Sequence, residues 1–122
     1  LKKFVQFIEL GYTRVSVYVT DGPNGFFNLV PEDEEGPVIL IGLDRPIFRC
    51  VIDLYLHEAF EMVMSVGMSR FTPTASLSEG SDDYSFMFDH PKLGHFCASI
   101  AENLEEVIQQ LRVEYDLYQK GE

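Results

Sequence analysis

Nowhere in this 122-residue chain does an apolar run reach the ~18 uncharged residues that a membrane-spanning helix needs, so no membrane span is expected. Basic residues are scarce. Nine Lys and Arg stand against 20 Asp and Glu, for a formal net charge of -11. Direct binding to nucleic acid or to an anionic membrane, both of which need basic patches, is therefore not expected. Cysteine is nearly missing: Cys50 and Cys97 are the only two, with no CxxC spacing, which argues against a Cys-based zinc site. Each lies in a segment that reads as helix. The simplest expectation is a pair of reduced, buried thiols in a cytoplasmic protein, with a Cys50–Cys97 disulfide as the alternative. No apolar opening segment precedes a small-residue cleavage pattern, so no signal peptide is expected, and a chain opening on Leu1 reads as part of a longer one.

Other chemistry is missing as well. "DGPNG" (21–25) lacks both the lysine and the helix of a phosphate-binding loop. The serines of "SLSEGSDD" (76–83) have no base assigned to them. Cys97 and His95 are too close along one helix, and on different faces, to make a thiolate–imidazole pair. There is no internal repeat and no low-complexity tract.

What is present is enough to fold. Hydrophobic residues make up 46% of the chain, with ten Phe and six Tyr, which is too apolar for a disordered segment. One domain spanning 1–122 is expected. "RVSVYVT" (14–20) sets Val15, Val17 and Val19 against Ser16, Tyr18 and Thr20, the alternation of a strand with one buried face. After the turn at 21–25, "FFNLV" (26–30) reads as its hairpin partner. An acidic loop follows at 31–36, read as solvated. "PVILIGL" (37–43) is a continuous apolar run expected as a more central strand. A long helix is expected from Asp44 and Pro46 to Met68, then a polar loop at 69–83 and a short strand in "YSFMF" (84–88).

Asp89, His90 and Pro91 open a second long helix, running to about Gln119. Leu93, Phe96, Cys97, Ile100, Leu104, Val107, Ile108 and Leu111 share one of its faces. Gly94, Ala98 and Ala101 allow another element to approach its flank, and His95 projects towards solvent. The expected fold class is α+β: a small, mostly antiparallel sheet packed against two long helices.

The chemistry concentrates in "LYLHEAFEMVM" (54–64). At ~100° per residue, His57, Glu58 and Glu61 fall within an arc of about 100°. His57 and Glu61 are spaced i, i+4, so they project together and can share one cation. A second reading stands beside this one. Asp53, His57 and Glu61 form an i, i+4, i+8 stripe, as on a solvated helix edge, although Cys50, Leu54, Met64 and Met68 flank it. "FMFDHP" (86–91) adds Asp89 and His90 at a strand–helix junction. His90 projects about 60° from the centre of the apolar face and can turn inward, while capping of the helix accounts for Asp89 or His90 equally well.

Taken together, H-E-A-F-E and F-D-H resemble the compact zincin-like proteins, or minimal zincins, found among bacterial and phage domains. The resemblance spans about residues 37–110. It implies a Zn2+ held by His57, Glu61 and His90, with Glu58 as the general base of a peptidase and Asp89 orienting or replacing His90. Glu61 stands where the usual H-E-x-x-H motif has its second histidine, a departure that bears on turnover more than on fold. The function expected is metal-dependent hydrolysis of a peptide or protein. The alternatives are a zincin-like protein used only for binding, and an acidic protein that engages a basic partner as a nucleic-acid mimic.

Overall fold

The structure, a computed structural model, describes residues 2–11, 13–28, 36–66, 70–71 and 85–121. Among the described residues, six strands and two helices run in the order β1 (Lys2–Leu10), β2 (Thr13–Thr20), β3 (Phe26–Asn28), β4 (Val38–Gly42), α1 (Phe48–Val66), β5 (Arg70–Phe71), β6 (Ser85–Phe86) and α2 (His90–Gln119). Four strands form the main sheet in the order β1-β2-β4-β3, and β5 pairs with β6 in a separate two-stranded sheet. The class is α+β. Residues 31–35 of the acidic loop lie outside the described residues, as does all of the polar loop at 69–83 except Arg70 and Phe71.

The valine alternation of β2 and the apolar run of β4 make the centre of the sheet. Val15, Val17, Val19, Ile39 and Ile41 turn one face onto the helices and are fully or almost fully buried. β2 and β4 are parallel, whereas β1–β2 and β3–β4 are antiparallel, so the sheet is mixed rather than simply antiparallel. A parallel central pair suits the near-continuous hydrophobicity of residues 38–41.

Three expectations need correction. β1 is a nine-residue strand that was not expected from the sequence; it pairs with β2 through a turn in which Gly11 takes φ 57°, a left-handed conformation cheap only for glycine. β3 does not return beside β2. It pairs with β4, which is inserted between the two strands. The connection 21–25 must therefore cross over the end of β4, and it does so at Gly42. A β-carbon there would run into the Gly22 carbonyl and lie 2.6 Å from the Asn24 carbonyl oxygen and 2.8 Å from its nitrogen. The crossing is fastened by Asp44 N–H donating to Gly22 O (3.1 Å) and by the Arg45 guanidinium donating to Pro23 O (3.1 Å).

The third correction concerns the helices. α1 has 19 residues and begins after Pro46, at Phe48, whereas α2 has 30, so only the second is long. No helix among the described residues is long and apolar enough to cross a membrane. α2 starts where its capping residues place it: Asp89 is the N-cap, its carboxylate accepting from Lys92 N–H at 3.1 Å, with Pro91 in the first turn.

The buried stripe of α2 runs through Phe96, Ser99, Ile100, Val107, Leu111 and Tyr115. Cys97 sits one residue off that stripe and is exposed, and Cys50 is half-buried. Both are free thiols, so neither the expected burial nor the alternative disulfide is found. Leu93, Ala98 and Ala101 are exposed, and a β-carbon on Gly94 would meet nothing within 4 Å, so among the described residues no other element closes on that flank. α2 is instead anchored to the sheet side by side-chain bonds to backbone: Asn103 Nδ2 donates to Glu9 O (2.7 Å), and the Tyr115 hydroxyl donates to Arg45 O (2.9 Å).

Candidate metal centre on the first helix

The buried face of α1 consists of Val51, Tyr55, Glu58, Ala59, Met62 and Val63. Val51, Tyr55, Glu58 and Met62 follow a 4-3-4 spacing, the seam of a helix packed on a sheet. Glu58 thus occupies a position where the pattern calls for an apolar side chain. It is 6% exposed, and its Oε2 is buried without a hydrogen-bond partner among the described residues. A buried carboxylate oxygen with nothing to bond is costly, by about 1–3 kcal/mol or more if charged.

The surroundings explain how it is held. α1 packs on β3 and β4, and Gly25, just ahead of β3, leaves room for the Glu58 stem: a β-carbon at Gly25 would be 3.4 Å from Glu58 Cγ. His57 and Glu61 stand beside it on the rim. His57 Nε2 lies 3.3 Å from Glu61 Oε1, with the imidazole 64% exposed and the carboxylate 18%. Burial, and secondarily the negative charge of Glu61, hold the Glu58 carboxyl above the usual glutamate range, while the nearby His57 pulls it partly back.

His57, Glu58 and Glu61 each offer one ligand atom, and these atoms all lie within 4.8 Å of one another. Donors bound to one ion at ~2.0–2.2 Å are at most about 4.4 Å apart, so small side-chain rotations bring the three onto a common cation. The group can hold a metal ion. One imidazole and two carboxylates suit several divalent metals and do not single out zinc.

The other expected ligands fall differently. His90 is the first residue of α2 and is exposed, Asp89 is engaged as the N-cap, and neither belongs to this group. All three clustered donors come from one helix. His95 is exposed, as expected; it lines a cleft with Glu9, Ser99 and Glu102, but these residues do not form a second metal-holding group among the described residues. The burial of Glu58 was not expected from its place in one arc with His57 and Glu61. The signal was available in the 4-3-4 seam, which Glu58 completes. Comparison with known protein families, with characterised proteins and with solved structures finds no match for the chain.

Proposed function

We propose that the protein is a metal-dependent hydrolase acting on peptide bonds, with a divalent cation, Zn2+ in the first instance, held by His57 and Glu61 and with Glu58 as general base. The observation that supports this reading is the buried, unpartnered Glu58 Oε2 beside an imidazole and a second carboxylate. A cation bound there would supply Lewis acidity. The chain's own contribution is proton transfer. A carboxyl raised above its ordinary range by burial is better matched to accept a proton from water near neutral pH than a solvated glutamate. With Glu58 kept for proton transfer, His57 and Glu61 would hold the cation and would leave it accessible to water and substrate.

A second reading is favoured by one specific observation: no residue outside α1 joins the cluster among the described residues. With that donor set the cation would act as a structural or ligand-binding element without turnover.

The experiment that separates them uses protein purified without a histidine tag, dialysed against chelator and titrated with Zn2+ and Mn2+. The hydrolase reading expects about one equivalent bound and cleavage of a fluorogenic casein that Glu58→Gln abolishes while keeping the metal. Metal binding with no cleavage by the wild type leaves only the second reading. If neither ion binds, both are wrong.

A further inference from the structure

We propose that the outward face of the four-stranded sheet is a homodimer interface, packed face to face on a second copy of the chain. Cross-strand register fixes which side chains share that face. Lys2, Phe4, Phe7 and Glu9 on β1 stand opposite Thr20, Tyr18, Ser16 and Arg14 on β2, and Tyr18, Leu40 and Phe26 form a row across β2, β4 and β3. None of the aromatic residues on it belongs to the core shared with the helices. Phe4, Phe7 and Phe26 are 43%, 50% and 48% exposed. They are not scattered: Phe4 packs on Phe7 with ring centroids 4.9 Å apart and edge-on to Tyr18 at 5.6 Å.

Charge distinguishes this face from the rest of the molecule. Among the described residues, Glu9 is the acidic side chain that the strand registers place here, whereas Lys2 lies over the Tyr18 ring at 4.6 Å and Arg14 over the Phe7 ring at 3.8 Å. Two chains of net charge -11 repel each other, and among the described residues this face brings few carboxylates together. The area suits the pairing. Three half-exposed phenylalanines offer roughly 300 Å2, since each ring side chain can bury about 200 Å2. With Tyr18, Leu40 and the stems of Lys2 and Arg14, each copy presents on the order of 500 Å2. Two such faces reach about 1,000 Å2, the lower bound of a specific interface, as expected of a weak dimer that closes on a two-fold axis.

The salt dependence has a diagnostic sign. An apolar contact between two acidic chains tightens as salt screens their repulsion, whereas binding of a nucleic-acid strand to the same aromatics and cations weakens. Sedimentation equilibrium of the whole chain is expected to show a monomer–dimer equilibrium that tightens at least threefold between about 0.05 M and about 0.5 M NaCl. Phe7→Glu and Phe26→Glu should each weaken it by roughly tenfold or more, and Val113→Glu, on an exposed apolar residue of α2, should leave it unchanged. A chain that stays monomeric at about 100 μM in both salts overturns the proposal. So does a dimer indifferent to Phe26→Glu, which would be joined along the β1 edge. Salt-weakened binding of a fluorescein-labelled oligothymidylate to a monomeric chain would assign the face to single-stranded nucleic acid instead.

Discussion

Gly25 and Glu58 are in register across the helix–sheet interface: a β-carbon on Gly25 would lie 3.4 Å from Glu58 Cγ and 3.0 Å from the Leu40 carbonyl oxygen. The strand-leading glycine therefore shapes the space that the buried carboxylate occupies. In Gly25→Ala the contact with Leu40 must give by a few tenths of an ångström, and the added β-carbon comes into van der Waals contact with the Glu58 stem. The expected result is a stability loss of about 1–2 kcal/mol by thermal or urea unfolding, accompanied by weaker cation binding. A variant with wild-type cation affinity would show that the stem is not positioned by this contact.

The raised Glu58 carboxyl makes a signed prediction about pH in metal-free protein. Its proton is held more tightly in the folded chain than in the unfolded one. Below the unfolded pKa both states are protonated and ionisation adds no penalty. As pH rises from there through the folded pKa, the unfolded chain releases its proton first and folding stability falls. The penalty is complete above the folded pKa. The stability difference between Glu58→Gln and wild type should therefore grow in favour of the variant across that window and then level off. A difference constant from about pH 4 to pH 8 would contradict the assignment.

Much of this fold was legible in the sequence, and the failures have physical causes. β2 showed itself because its three valines face one way, and α2 because Asp89 and Pro91 mark its start. β1 was hidden by an irregularity between Phe4 and Gln6, where the register shifts and a strict period of two breaks down. Its Phe4 and Phe7 also face solvent, against the usual alternation. The partner of β3 was misread because a strong turn at 21–25 reports local chain reversal and says nothing about a third strand entering between the two arms. At the site, i, i+4 spacing brought His57 to Glu61 as expected. His90 rested on a helical projection, its place at a strand–helix junction and a resemblance, and none of these gives a distance.

Cation binding should register as stability. A single site at about 100 times its dissociation constant contributes about 2.7 kcal/mol. Zn2+ or Mn2+ is expected to raise the melting temperature of the wild type. His57→Ala and Glu61→Gln should lose that gain while unfolding normally without metal, because both side chains lie at the rim of the core. Differential scanning fluorimetry across a metal series tests this directly. An equal gain in the His57→Ala variant would place the ion elsewhere.

Capping and ligation can be separated at the start of α2. Asp89→Ala removes the carboxylate that accepts from Lys92 N–H and should lower stability by about 1 kcal/mol. Cation affinity should not change, nor should it in His90→Ala. A tenfold loss of affinity in either variant would bring the junction back into the site.

The strand order carries a consequence for how the chain assembles. Because β4 lies between β2 and β3, the short link at 21–25 cannot zip its flanking strands into a local hairpin. β3 joins the main sheet through residues 38–40, and the link at 21–25 lies against Gly42. The edge next to Glu58 therefore depends on β4 for its place, so whatever loosens residues 38–42 also opens the space that the Glu58 side chain occupies.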